Sequence, residues 1–89
     1  MEIVIGSIVR STAGRDKDRY FVVVAEENKD GYYRIADGET RLLEKPKLKK
    51  LKHLKCTGAA AEKIAEKFKN GKQVHDAEIR STLKQYQIN

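Results

Sequence analysis

The sequence has one cysteine, one proline and no long apolar segment. Because Cys56 is the only cysteine, an internal disulfide is excluded. Met1 and Glu2 lead directly into the apolar residues 3–5, a start that does not have the form of a secretory signal peptide. No apolar run approaches the length that crosses a bilayer. We therefore expect a cytoplasmic protein without membrane association.

The composition indicates a folded chain of modest size. Its 89 residues suffice for one small domain with a limited core. Charged residues make up 36% of the chain, but the branched aliphatic and aromatic residues are clustered along the sequence. Such clustering favours a folded domain over a disordered one.

The segment 41–55, RLLEKPKLKKLKHLK, carries the excess charge, and we call it the basic segment. Its basic residues and single acid give it a net charge of +6, equal to the formal net charge of the whole chain. A local positive field attracts a polyanion such as a phosphodiester backbone. Leu48, Leu51 and Leu54 recur at every third position, so we expect leucines that pack and ammonium groups that face solvent. A lysine run also suits a solvated face or an edge strand, but this one exceeds what either role requires.

The first half of the chain has the pattern of a small β-structure. Residues 20–25 form the clearest strand, because they are aromatic and β-branched. Shorter strands are expected within 3–9, 32–35, 41–43 and 53–57, with turns at 28–31 and 37–38. Pro46 must interrupt the fourth strand or place it at a sheet edge. Short strands with frequent turns favour a mainly β fold with an SH3-like barrel over residues 1–57.

The second half changes to helical periodicity. Thr57 is a candidate N-cap for a helix over residues 58–70, and Gly71 is its expected stop. Asp76 is a candidate N-cap for a second helix that carries Ile79 and Leu83 on one face. Helices this short are unstable alone in water. We therefore expect a helical hairpin over residues 58–89 that packs on the barrel.

The segment 5–25, IGSIVRSTAGRDKDRYFVVVA, contains an apolar strand, a polar loop with Gly14 and a second apolar strand. This segment resembles the KOW motif of ribosomal proteins and transcription elongation factors. Gly14 matches the glycine of the motif, where glycine permits a positive φ angle and close approach of another backbone. The resemblance implies an SH3-like barrel whose loop contacts RNA. An ordinary charged hairpin loop is the alternative.

The resemblance continues to about residue 54. There the chain is similar to the bacterial relatives of the archaeal and eukaryotic large-subunit ribosomal protein fourteen-e. The matching elements are Gly14-Arg15-Asp16, the apolar strand to Val24, Asp37-Gly38, Arg41 and the block 46–54. The resemblance implies binding to structured RNA, ribosomal RNA above all. It does not extend to the C-terminal helices.

Charge and resemblance together define the expected RNA-contacting residues. Lysines act as point charges that give affinity with little sequence preference. Arginines such as Arg15 and Arg41 can hold phosphate through two hydrogen bonds or stack on a base. Asp16 and Asp18 are expected to form salt bridges with the loop cations. The predicted contacts are Arg10, Gly14, Arg15, Lys17, Arg19, Arg41, Lys45, Lys47, Lys49, Lys50, Lys52, His53 and Lys55.

Other chemistry has little support in the sequence. His53 and Cys56 could supply two zinc ligands, whereas a closed zinc site needs four. The serine and threonine hydroxyls have no convincing base partner, so we expect no metal, no cofactor and no catalysis. The aromatic residues could stack on bases, but a core position is the stronger expectation for each, with one of Tyr32 and Tyr33 buried and the other exposed.

These observations predict a non-catalytic RNA-binding protein, monomeric when free and associated with the ribosome as part of the translation ribonucleoprotein. Two alternatives remain open. One is a transient ribosome assembly factor. The other is a protein-interaction module of the transcription or translation machinery, which would bind through the SH3-like groove or through the helical face of Ile64, Phe68, Ile79 and Leu83.

Overall fold

The computed structural model describes residues 3–27 and 31–88. The predicted turn at 28–31 therefore falls mostly outside the described residues. The elements are strands β1 (Ser7–Ser11), β2 (Tyr20–Glu27), β3 (Tyr32–Ala36) and β4 (Lys47–Lys50), a 3₁₀ turn (Leu51–His53), strand β5 (Leu54–Ala60), and helices α1 (Glu62–Lys69) and α2 (Asp76–Ile88).

The strands form one antiparallel sheet in the order β4-β3-β2-β1-β5. Val22 is the centre of the register, because it pairs with Ile8 on β1 and with Ala36 on β3. Within the described residues no ladder joins β4 to β5, so the sheet is open and these strands are its edges. A small β-rich fold followed by C-terminal helices is thus confirmed.

The two faces of the sheet contribute to different hydrophobic clusters. Successive residues of β2 alternate between them, since Phe21 and Val23 belong to one cluster and Val22 to the other. The Val22 cluster also holds Ile64 of α1 and Ile79 of α2. Both helices therefore dock on the same face of the sheet, as short amphipathic helices must to be stable.

The first helix starts later than the sequence pattern predicts. Residues 58–60 belong to β5, which pairs with β1 as far as Ser7 and Ala60. Thr57 is not the N-cap: its hydroxyl donates to the carbonyl oxygen of Ile8 at 2.7 Å. The expected helix at 58–61 was wrong because pairing with β1 outweighs the helix propensity of the alanines.

The fourth strand also lies later than predicted, over Lys47–Lys50 and not at 41–43. The Asp37 carboxylate accepts hydrogen bonds from the amides of Glu39, Thr40 and Arg41 at 2.7–2.9 Å. These bonds close the chain into a turn where a strand was expected. The new strand then begins directly after Pro46.

The helix ends are only partly as expected. Gly71 has a φ angle of +68°, and the Lys72 amide donates to the Lys67 carbonyl at 2.8 Å, so the predicted glycine stop is confirmed. Asp76, expected as an N-cap, is instead the first residue of α2. Its Oδ1 accepts the amide of Leu43 at 2.8 Å, which ties the helix to the chain before β4. No helix in residues 3–27 and 31–88 is both long and apolar enough to span a membrane.

Candidate nucleic-acid interface

The loop between β1 and β2, residues 12–19, is compact, and we call it the Gly14 loop. Gly14 has a φ angle of +77°, a conformation that glycine adopts without strain. Within the loop, Lys17 donates its amide to Gly14 at 3.2 Å and Arg19 donates to Asp16 at 3.0 Å. Arg15, Lys17 and Arg19 are exposed. Their backbone is thus held in place while their cationic ends face solvent.

A buried carboxylate supports the loop from below. Asp16 keeps only 8% of its side chain exposed, and its Oδ2 lies 3.1 Å from Nη2 of Arg41. The expected salt bridge of Asp16 therefore exists, but its partner comes from the basic segment and not from a neighbouring loop residue. Asp18 is 3.8 Å from Arg10. Arg41 and Arg10 thus both have a carboxylate partner within the protein.

A second carboxylate connects the loop to the turn that follows β3. Asp37 Oδ2 lies 3.6 Å from Nη2 of Arg19. Burial alone would raise the pKa of Asp37, but hydrogen bonds from the Arg41 amide, the Thr40 hydroxyl and the amides of Glu39 and Thr40 outweigh it, so the pKa lies below its ordinary value. Asp37 therefore stays ionised at neutral pH and holds the turn beside Arg19.

Lys49 differs from the other lysines of the basic segment. It is 9% exposed, and its Nζ donates to the carbonyl oxygen of Ala13 at 2.9 Å. The expectation that every ammonium group of the segment faces solvent is wrong here, because β4 alternates and directs Lys49 toward the Gly14 loop. The contact holds the loop against the basic strand. No local sequence signal indicates it, since the two residues lie far apart in the chain.

The lysines of β4 lie on both faces of the sheet, because successive residues of a strand alternate. Lys49 is paired with Tyr33, and Lys50 with Tyr32, on the opposite face. The three regularly spaced leucines differ in burial. Leu54 is 8% exposed and packs in the core, whereas Leu48 is 39% and Leu51 48% exposed. The expected packing of the leucines is therefore correct for Leu54 only.

The other predicted basic contacts fall into two groups. Lys47 and His53 are half-buried, and the His53 carbonyl accepts the amide of Thr12 at 2.9 Å, a second link between the basic segment and the Gly14 loop. The exposed lysines of the basic segment are Lys45, Lys50, Lys52 and Lys55.

The aromatic residues mostly serve the core. Phe21 is fully buried, and Tyr20 packs edge-to-face on Tyr86 with 5.4 Å between ring centroids. Tyr33 packs against the Phe21 cluster. Tyr32 is half-buried and has Nζ of Lys50 at 5.5 Å from its ring centroid.

A groove of about 730 Å³ lies between the turn at Asp37 and helix α2. Two of its cations already have partners: Arg80 donates to the Gly38 carbonyl at 2.7 Å, and Arg19 faces Asp37. The acid Glu39 also lines it. These features make it a weaker anion site than the basic segment.

The candidate metal ligands are not grouped, and two of the serine hydroxyls form hydrogen bonds with nearby backbone. Among residues 3–27 and 31–88, no three histidine, cysteine, aspartate or glutamate side chains are grouped to hold a metal ion. The Ser7 Oγ accepts the Val4 amide, and the Ser11 hydroxyl donates to the Ala13 carbonyl.

The helical face offered as a protein-binding surface is occupied within the protein. Ile64, Ile79 and Leu83 are each at most 3% exposed, and Phe68 packs against the same cluster. This part of the protein-interaction alternative is therefore wrong, because the face is covered by the sheet.

Comparison with known proteins adds no assignment. No protein-family model matches the chain, and no curated protein has significant sequence similarity to it.

Proposed function

We propose that this protein binds structured RNA without catalysing a reaction, and that it does so as a ribosome-associated component of the translation machinery. The observation that carries the proposal is the hydrogen bond from Lys49 to the Ala13 carbonyl. It brings the Gly14 loop and the basic segment, two cationic stretches that are separated in sequence, next to each other, and we propose the two together as the RNA-binding surface.

The charges on this surface support a polyanionic partner. Exposed Arg15, Lys17 and Arg19 stand on the loop, and exposed lysines continue along the basic segment. Two nearby acids, Asp16 and Asp37, are buried and each has an arginine partner, whereas Asp18 on the loop and Glu44 in the basic segment are exposed. The exposed cations still outnumber these exposed acids, and the resulting positive field attracts phosphates.

The SH3-like assignment is part of the same proposal. It is supported by a meander of short antiparallel strands in which the first strand, β1, pairs with both the second and the last. A positive φ angle at Gly14 fits the KOW resemblance.

Sedimentation of a cell lysate tests the ribosomal part directly. We expect the protein to sediment with ribosomal particles in low salt and to leave them in a high-salt wash, because phosphate contacts weaken with salt. A variant with Arg15, Lys17, Lys50 and Lys52 replaced by glutamine should stay at the top of the gradient. Equal sedimentation of both proteins would contradict the proposed surface.

A further inference from the structure

A groove of about 380 Å³ lies at one end of β3 and β4, lined by Gly31, Tyr32, Lys50, Leu51 and Lys52. We call it the Tyr32 groove. It shares Lys50 and Lys52 with the surface proposed for RNA and adds an aromatic ring and an exposed leucine. Among residues 3–27 and 31–88, no acidic residue lines it.

The backbone holds the walls of the groove in place. Tyr32 and Lys50 are directly paired across β3 and β4, so their side chains share one face of the sheet. The Leu51 amide donates to the Gly31 carbonyl at 2.8 Å and fixes the start of the 3₁₀ turn beside the ring. The aromatic and aliphatic walls of the groove are therefore in place before any ligand binds.

The side chains of the groove are still available to a ligand. Leu51 is 48% exposed and lies beside two lysines. Lys50 contacts the Tyr32 ring from 5.5 Å, and its ammonium group remains at the surface. On the neighbouring strand, Glu27 is paired with Tyr32, but its carboxylate is bound by Arg34.

We propose that the Tyr32 groove holds one unpaired base of the bound RNA, stacked on Tyr32 beside Leu51, with its flanking phosphates at Lys50 and Lys52. Any of the four bases can stack on an aromatic ring, and cations beside the ring can contact the phosphates of the RNA backbone. A base inside a duplex is already stacked and cannot enter. The inference rests on the proposed RNA binding and specifies the substrate as RNA with an unpaired nucleotide.

Two RNA hairpins provide the test: one with a single bulged 2-aminopurine, and one with the same nucleotide paired. The wild-type protein should bind the bulged hairpin more tightly and quench its fluorescence. Tyr32→Ala should weaken binding of the bulged hairpin by about fivefold or more and remove the quenching. Tyr32→Phe keeps the ring and should behave as wild type.

Leu42→Ala is the matched control, because Leu42 is 40% exposed and lies outside the groove. It should change neither binding nor quenching. Circular dichroism and thermal unfolding show whether each variant is folded. If Tyr32→Ala is not, the difference between the two hairpins in binding and quenching by the wild-type protein still decides the test.

The possible failures are distinguishable. If the wild-type protein binds neither hairpin, the proposed function and this inference both fall. If it binds both hairpins equally and Tyr32→Ala follows the wild type, RNA binding stands and the groove has no role in it. Equal losses on the two hairpins would likewise overturn a site for an unpaired base.

Discussion

The Nζ atom of Lys49 lies 2.9 Å from the carbonyl oxygen of Ala13, across 36 positions of sequence. A buried lysine that donates to backbone is a structural residue, although its neighbours in the chain are exposed cations. We therefore expect the lysines of β4 to separate by role: Lys49 supports the surface, and Lys50 contacts the ligand.

Replacement of single lysines tests this separation. Lys49→Met keeps the aliphatic stem but removes the charged donor to the Ala13 carbonyl, which then keeps only the Ser11 hydroxyl, and it should lower the free energy of unfolding by about 1–2 kcal/mol. Lys50→Gln should change it by less than about 0.5 kcal/mol yet weaken RNA binding. Urea unfolding and RNA titration measure the two effects. If Lys49→Met unfolds like the wild type, the support role is wrong.

The two glycines with similar φ angles allow a matched comparison at the Gly14 loop. Gly14 has φ +77° and Gly71 φ +68°, so valine at either position should cost about 1–2 kcal/mol or more. A Cβ on Gly14 would also come within 3.3 Å of Lys49 Nζ, whereas Gly71 has open space around it. RNA affinity should therefore fall in Gly14→Val and stay near wild type in Gly71→Val. Equal losses of affinity would argue against an RNA-contacting loop.

Mutation of the ion pair between Asp16 and Arg41 shows whether Arg41 supports the Gly14 loop or contacts RNA directly. A double-mutant cycle with Asp16→Asn and Arg41→Gln should give a coupling of about 0.5–3 kcal/mol in the free energy of unfolding. If Arg41 acts only through Asp16, Arg41→Gln should reduce RNA affinity in the wild type but not in the Asp16→Asn background. A reduction in both backgrounds would assign Arg41 a direct phosphate contact.

The depressed pKa of Asp37 predicts a dependence of stability on pH. Because the folded state favours the carboxylate, its contribution is complete above the unfolded pKa of about 3.9 and is lost as the pH falls through the lower folded pKa. Asp37→Asn should lower the free energy of unfolding by about 1.5–3 kcal/mol at neutral pH, and the difference from wild type should shrink below about pH 4. Glu39→Gln, at an exposed position in the same turn, is the control.

If urea unfolding gives the same difference between wild type and Asp37→Asn at neutral and acidic pH, the carboxylate does not stabilise the turn through its charge. A loss in Glu39→Gln as large as that in Asp37→Asn would indicate a general effect of charge and not the specific hydrogen bonds.

Local pattern was sufficient for part of this fold. The strand at 20–25 and the stop at Gly71 follow from side-chain branching and from the φ freedom of glycine, which are properties of a few adjacent residues. The start of α1 was misplaced because residues 58–60 pair with β1, a partner that the segment itself does not encode. The sequence predicts a turn at Asp37-Gly38, but it does not indicate that the Asp37 carboxylate accepts backbone amides as far along the chain as Arg41.

The site shows the same division more strongly. The exposed cations of the Gly14 loop were identified from sequence because charge in a glycine-containing loop is a local property. The burial of Lys49, the Asp16–Arg41 pair and the pairing of Tyr32 with Lys50 depend on the strand register and on contacts between distant segments. Composition alone therefore overstated how many lysines are free to meet a ligand.

The salt dependence of RNA affinity tests the central claim most directly. With about five phosphate contacts, log K against log salt should fall with a slope of about −3.5 to −4.5 for a structured RNA. The slope should flatten in the variant with Arg15, Lys17, Lys50 and Lys52 replaced by glutamine, while its unfolding remains cooperative. A wild-type slope near zero, or an unchanged slope in the variant, would contradict the account.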